Sequence, residues 1–318
     1  MSLQKLYIKN KSYLSYKHNL IYIKVDDYET TVCFDDIDTI IIENQQTTIT
    51  TALLSQLSKA DINVIFSDEK FMPSSILLGI NKNSRTTRIQ KAQVELSKPK
   101  LNQIWKDIVT YKVSNQSKVL KELHKNSDYL DLLIPRIKSN DKENIEATAA
   151  AHYFKELFGK EFSRNNPENI YNAVLNFGYA IFRSSICRYL IAYGLNPAFG
   201  IHHSSELNAF NLADDLIEPF RPIIDDYVVR NIKSDMELNG KIKIDLLKLL
   251  DKTVFYDDKN VTVSNCMKSI VANYQSICLS KCENLTLFEL WKKQKKQVGT
   301  EKWFYLQCLI CPQIQKKI

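Results

Sequence analysis

A histidine pair, His202 and His203, stands twelve to fifteen residues ahead of an acidic cluster, Asp214, Asp215 and Glu218, which runs into a proline-bounded Arg221. Residues 210–217 have the periodicity of a helix. On such a helix Asp215 and Glu218, three apart, project from one face. Two carboxylates held together repel each other unless a cation lies between them. An imidazole upstream supplies a third ligand if the intervening loop folds back. A nitrogen donor with carboxylate oxygens suits Mn²⁺, or Mg²⁺ with several retained waters, better than a structural zinc. Sites of that kind carry out phosphoryl transfer on nucleic acid.

Glu146 is the second informative position. It sits among Ala147, Ala149, Ala150 and Ala151. Small residues let a second helix or a ligand approach closely, and a carboxylate there is poorly placed for simple solvation. Basic residues cluster over 82–100, where Lys82, Arg85, Arg88, Lys91, Lys98 and Lys100 face only Glu95, and again over 292–296. Such runs suit a phosphate backbone, and the net charge of +7 favours a polyanionic partner without requiring one. Arg85 and Arg88, on one helix face, are the better candidates for backbone contacts. Arg221 either touches phosphate or pairs with Asp225 or Asp226. Arg183 and Arg188 either reach DNA or pair internally.

The elements that must position these groups fall into two blocks. Residues 5–8, 20–25, 30–34, 39–42 and 63–66 are short, rich in Ile, Val, Tyr and Thr, and bounded by polar turn residues. The first four predict a meander of hairpins, followed by one helix over 47–60 and then the strand over 63–66. From residue 84 onward the pattern is helical, strongest over 88–96, 101–113, 144–158, 167–193, 211–217 and 243–250. The fold class is α+β: a small β-rich, sandwich-like domain over 1–80, then a larger all-α domain over 81–318. No apolar run approaches the roughly 20 residues that span a bilayer. The seven cysteines, an odd number, fit reduced thiols in a cytoplasm better than a disulfide framework. Cys278 and Cys282, with Cys308 and Cys311, have zinc-like spacing but lack the turn residues of a zinc site, so buried thiols are expected. Trp303, Phe304 and Tyr305 are expected to be core. His18, His124 and His152 have no partner spacing and are expected to be structural.

Four segments resemble the family of CRISPR-associated protein 1, the spacer integrase of prokaryotic adaptive immunity. They are Glu-Ala-Thr-Ala-Ala-Ala-His-Tyr-Phe at 146–154, Asn-Ala-Val-Leu-Asn-Phe-Gly-Tyr-Ala-Ile at 172–181, Gly-Leu-Asn-Pro-Ala-Phe-Gly-Ile-His-His at 194–203 and Asn-Leu-Ala-Asp-Asp-Leu-Ile-Glu-Pro-Phe-Arg-Pro at 211–222. The wording is similar to members from type II systems. The resemblance implies that Glu146, His203 and Glu218 hold a Mg²⁺ or Mn²⁺ ion, with His202 as competitor to His203 and Asp215 as a further acid near the metal. Phe177 departs from the Tyr of many members. The implied reaction is transesterification: a 3′-hydroxyl of a protospacer duplex attacks a phosphodiester of the repeat array, with endonuclease cleavage when water replaces it. The implied partners are DNA, a second copy of the chain joined through the β domain, CRISPR-associated protein 2, and further type II adaptation proteins with the effector nuclease. A stand-alone nuclease for branched DNA and a non-catalytic DNA scaffold are the alternatives.

Overall fold

The computed structural model describes residues 4–79 and 82–290. Its amino-terminal part holds β1 (Gln4–Ile8), β2 (Tyr13–Lys17), β3 (Leu20–Val25), β4 (Tyr28–Cys33), β5 (Ile37–Ile42), β6 (Thr48–Ile49), α1 (Thr51–Lys59), β7 (Asn63–Ser67) and β8 (Pro73–Leu77). Two four-stranded sheets result, ordered β1-β5-β7-β8 and β4-β3-β2-β6. The expected meander accounts for the antiparallel β3 and β4, while β2, which pairs antiparallel with β3, lies outside the expected strands. It fails for the other sheet, where β1, β5 and β7 run parallel. The physical reason lies in β5: Ile-Asp-Thr-Ile-Ile-Ile is buried along its whole length, as a central strand covered on both faces must be.

That two-sided burial joins the two parts of the molecule. Ile8, Ile40, Ile42 and Val64 point to a core shared with Leu14, Ile21, Leu53 and Leu57. Their neighbours Tyr7, Ile41 and Ile65 point the other way, into the core of the helical part. The alternation is the period of two that a pleated strand imposes.

The helical part contains α2 (Thr86–Val94), α3 (Lys98–Glu122), α4 (Asp128–Leu133), α5 (Ile145–Phe158), α6 (Ile170–Ala192), α7 (Asn211–Ile217), α8 (Arg221–Asn231), α9 (Gly240–Lys248) and α10 (Val263–Cys278). It also carries a two-stranded hairpin, β9 (Thr253–Tyr256) and β10 (Lys259–Thr262), in an otherwise helical region. The α+β class, a β-rich amino-terminal part and a larger helical part, therefore stands. Helix α6 lies at the centre, with fifteen buried residues. It crosses α8 so closely at Gly178 that a Cβ there would stand 2.7 Å from Ile224. Among the described residues no helix is long and apolar enough to cross a membrane. The basic run 292–296, Trp303, Phe304, Tyr305, Cys308 and Cys311 lie outside the described residues.

Candidate active site

Glu146, Glu218 and the histidine pair come from three different segments, and each segment is fixed by its own local bonds. Glu146 lies in the first turn of α5. Two of the free amides of that turn are capped by the buried Asp141, which accepts from Ile145 N at 2.9 Å and from Glu146 N at 2.8 Å. Glu218 follows α7 in a single 3₁₀ turn, Glu218–Phe220. Asn115 on α3 donates to the Pro219 carbonyl at 3.1 Å, and Phe220 stacks on Phe288 at 4.3 Å. The Glu218 backbone is thus held from two sides.

The histidine loop has no regular structure, yet side chains hold its backbone throughout. Gly194 ends it from α6 in the left-handed region, φ +76°. Gln93 on α2 donates to the carbonyls of Asn196 at 2.9 Å and Phe199 at 3.0 Å, and accepts from Asn196 N at 2.9 Å. Asn211 donates to the carbonyls of Ala198 and Ser205. Asp215, fully buried, accepts from the backbone amides of Ile201 at 2.5 Å, His202 at 3.0 Å and His203 at 3.2 Å, and faces His203 Nδ1 at 2.6 Å. Gly200 is required by space: a Cβ would stand 2.2 Å from the His203 carbonyl oxygen.

The two histidines separate cleanly. His202 stacks flat on Trp105 of α3, centroids 4.3 Å apart and 3° from parallel, and burial pushes its pKa down. His203 meets Trp105 edge-on at 5.8 Å and is about half exposed. The hydrogen bond to Asp215 raises its pKa despite partial burial. With Nδ1 donating to Asp215, the neutral ring keeps its lone pair on Nε2, the way a carboxylate behind a metal-binding histidine sets its tautomer.

The residue that sequence reasoning missed is Lys112. Its ammonium forms an ion pair with Glu146 Oε1 and lies 2.5 Å from Glu218 Oε2. Arg221 reaches the other oxygen of Glu218, with Nε 2.9 Å from Oε1, and lies over the Tyr179 ring at 4.5 Å. Burial alone would raise the Glu218 pKa, but Arg221 and Lys112 outweigh it and hold the carboxyl below its usual range. For Lys112 burial works the other way and would lower the pKa, and Glu218 and Glu146 outweigh it and raise it. The signal was present: Trp105, Ile108, Val109, Lys112, Val113 and Gln116 form one buried stripe of α3, and a lysine in such a stripe needs a partner.

Arg221 therefore pairs with Glu218. Asp226 pairs with Arg230 and Lys252, and Asp225 accepts a hydrogen bond from the Tyr179 hydroxyl. Burial pushes Asp225 up to about 7. The Tyr153 hydroxyl also faces this carboxyl, although neither it nor Asp225 Oδ2 closes a hydrogen bond. Asp214 accepts from Asn208 and stands 3.7 Å from Arg183. Arg188 turns inward to Asp38 at 2.8 Å. Arg85 and Arg88 are exposed at the start of α2, and Arg88 lines a cleft of about 1060 Å³ with Lys91, Lys100 and Glu283. His18 and His124 sit at turns with positive φ, and His152 packs against Tyr129. Cys278 is a buried thiol and Cys282 is half-buried.

Among the described residues no three His, Cys, Asp or Glu side chains converge closely enough to hold a metal ion as they stand. The Lys112 ammonium lies between Glu146 and Glu218 instead. The donor set nevertheless fits a divalent cation. Two carboxylates already converge on one positive charge, and the buried Glu218 Oε2 closes no hydrogen bond. His203, near enough to Glu218 for their charges to influence each other, would add the nitrogen of a mixed donor set.

The family model described as CRISPR associated protein Cas1 matches residues 6–242. The chain is 37% identical to the CRISPR-associated endonuclease Cas1 of Neisseria meningitidis over 87% of its own length and 92% of that protein. It is 30% identical to a CRISPR-associated endonuclease Cas1 of Saccharolobus solfataricus, over 72% of this chain and 75% of that one. In fold it is similar to a casposase bound to its integration product, with TM-score 0.73 at 18% identity over 95% of this chain and 96% of that chain. A Cas1 protein from Thermotoga maritima superimposes with TM-score 0.72, again at 18% identity, over 94% of this chain and all of the other. A third likeness, TM-score 0.70, is to a Cas6-RT-Cas1–Cas2 complex, where this chain corresponds to 36% of the matched chain.

Proposed function

The chain belongs to the CRISPR-associated Cas1 family, and we propose that it is a metal-dependent DNA integrase of CRISPR adaptation. It joins the 3′-hydroxyl ends of a protospacer duplex to the repeat array by transesterification. The observation that carries this reading is the convergence of Glu146 and Glu218 on one buried cation, beside a histidine oriented by its own carboxylate.

Glu146, Glu218 and Nε2 of His203 would hold the Mg²⁺ or Mn²⁺ ion. A bound divalent ion acidifies the attacking hydroxyl and offsets charge on the phosphorane-like transition state. The chain's own groups do the rest. Asp215 keeps His203 in the tautomer whose Nε2 is free. Arg221 keeps the Glu218 carboxyl ionised and in place. His202 and Trp105 form an aromatic wall that holds the loop. Arg85 and Arg88, with the basic cleft beside α2, track the DNA backbone. The β-rich region makes the contact to a second copy, and CRISPR-associated protein 2 is the expected partner of the dimer. Further type II adaptation proteins and the effector nuclease join that assembly. A second reading is favoured by the name endonuclease carried by the relatives: water in place of the 3′-hydroxyl makes the same site a nuclease for branched DNA.

The test is strand joining of a short 3′-hydroxyl duplex into a supercoiled plasmid with a leader and repeat, with the small partner protein and Mn²⁺ or Mg²⁺. Joining that vanishes in Glu146→Ala, His203→Ala and Glu218→Ala proteins, each assayed well below its own melting temperature, supports the integrase. DNA cleavage without joining moves the assignment to the nuclease. DNA binding without either makes the protein a scaffold.

A further inference from the structure

We infer that Lys112 is a resident cation of the glutamate pair: its ammonium holds the place a divalent ion takes, and the ion enters only by displacing it. This deepens the metal-dependent reading and rests on it.

Three observations carry the inference. The first is position. The Lys112 ammonium bonds to Glu146 and lies 2.5 Å from Glu218, the two carboxylates that would be the oxygen donors of the site. A divalent ion bound between them would share that space with a positive charge.

The second is charge. Glu146 and Glu218 are matched by Lys112 and Arg221, so the cluster is neutral as it stands. Adding a divalent ion with the ammonium still in contact would leave two excess positive charges in a largely buried cluster, where they are poorly screened. Ion and ammonium are alternatives.

The third is that the glutamates stand on fixed backbone while the ammonium stands at the end of a long side chain. The backbone of Glu146 is tied by the Asp141 cap, and the backbone of Glu218 by Asn115 holding Pro219. Arg221 is ion-paired with the remaining oxygen of Glu218 at 2.9 Å. Lys112 hangs on a flexible four-carbon stem and ends in a strongly hydrated point charge. When it leaves, the backbones that carry the two glutamates stay where they are. Its natural destination is a phosphate oxygen of bound DNA, which lies at the edge of the same site in the proposed reaction. The site would then load metal weakly alone and more tightly with DNA, and the coupling is reciprocal.

The test is Mn²⁺ binding to the full chain, read from the spin-resonance signal of the free ion, with and without a short 3′-hydroxyl duplex. Lys112→Met removes the competitor, and Mn²⁺ is expected to bind about tenfold tighter or more without DNA, because the apparent Kd is the intrinsic Kd divided by the fraction of competent sites. Lys112→Arg gives a forked cation that grips both carboxylates harder, and it is expected to bind Mn²⁺ more weakly than wild type. A general folding defect would weaken binding in both, so opposite signs mark the competition. The duplex is expected to tighten Mn²⁺ binding in wild type and to have less effect in Lys112→Met. Wild-type affinity in either variant, or weaker binding by Lys112→Met, overturns the proposal alone. No Mn²⁺ binding by any of the proteins, with or without duplex, overturns the metal reading and the proposal with it. So does binding that survives Glu218→Gln undiminished.

Discussion

Replacing Asp215 with asparagine asks whether this carboxylate builds the histidine loop or binds the ion itself. In the native loop Oδ2 accepts from Ile201 N and His202 N, and Oδ1 from His203 N and Nδ1. An amide offers one oxygen. Turned toward Ile201 and His202, it keeps those two bonds and aims its NH₂ at His203. The ring, about half exposed, can answer by moving its proton to Nε2 and accepting at Nδ1. The His203 amide then loses its acceptor, and a negative charge that three backbone donors shared is gone. An orphaned buried donor costs about 1–3 kcal/mol, and a charge-assisted bond is roughly twice a neutral one. The expected loss is about 2–4 kcal/mol of unfolding free energy, read by denaturant titration. The chemical consequence is larger than the energetic one. A proton on Nε2 leaves His203 without a lone pair facing the site, so Mn²⁺ binding and strand joining fall together. The sign of the pH dependence follows from the same bond. The raised pKa of His203 means that its pairing with Asp215 stabilises the fold fully below the ordinary 6.5 and is lost as pH rises through the raised value. Mn²⁺ needs the neutral ring, so wild-type binding strengthens over that same rise, and in Asp215→Asn the window moves to lower pH. The reasoning is refuted if Asp215→Asn is as stable as wild type, keeps the native His203 tautomer by nitrogen NMR, and still loses Mn²⁺. That result would make Asp215 a ligand.

Gly200→Ala would place a methyl 2.2 Å from the His203 carbonyl and 2.9 Å from Asp215 Oδ2. An overpacking cost of about 1–3 kcal/mol and a large loss of joining are expected, and a variant with wild-type melting and activity would contradict the tight-loop account. Glu218→Gln leaves Lys112 and Arg221 facing each other with one charge removed, a buried-pair loss of about 3–5 kcal/mol. Glu146→Gln costs less, because that side chain is partly exposed, so the two melting temperatures should differ in that order even though both lose joining. Asp225 is pushed by burial from an ordinary 3.8 to about 7, so the folded protein holds this proton better than the unfolded chain does. Its contribution to stability is therefore lost as pH rises from about 4 to about 7, by about 4 kcal/mol at most. Asp225→Asn should accordingly cost more at pH 5 than at pH 8, and an equal cost at both would sink this account.

What the sequence made legible, and what it hid, follows from the range of the interactions. Helix α7 was readable to the residue because its apolar spacing and flanks are local. The blocks were readable too, since a period of two gives way to one near 3.6 around residue 84. The pairing of β1 with β5 was not, because the partners are 33 or 34 residues apart and nothing in either strand names the other. The same holds at the site. Asp215 and Glu218 were read as neighbours on one helix, but α7 ends at Ile217, and Glu218 turns away toward α3. Asp215 turns back to the loop instead. The two acids stand close in sequence and have different partners. Lys112 falls inside the helical pattern over 101–113, but its partners lie 34 and more than a hundred residues away, and nothing local names them. Buried charge is visible in a sequence only when the apolar stripe around it is traced to its end.

The junction between the β-rich and helical parts is built in the same style as the site, from buried charges with fixed geometry. Arg188 on α6 donates to Asp38 Oδ1 at 2.8 Å and to the backbone carbonyls of Asp38 and Asp61. Lys243 on α9 pairs with Glu43 just beyond β5 and donates to the Phe71 carbonyl. Lys5 on β1 reaches Asp251 at 2.6 Å, and Asn63 on β7 donates to Ser184 on α6. Buried pairs of this kind add little net stability compared with apolar packing, but breaking one member costs several kcal/mol, roughly 3–5. They therefore specify one orientation. Tyr7, Ile41 and Ile65 bury the same sheet in the helical core, so sliding would uncover apolar area as well as unpaired charge. This bears on the proposed dimer. If the β-rich region carries the contact to a second copy, these bonds transmit the dimer geometry to Glu146, His203 and Glu218 without a hinge. Two joining events at a set spacing need that rigidity: a junction free to rotate would let each site find its own phosphodiester, and the length of the inserted segment would vary.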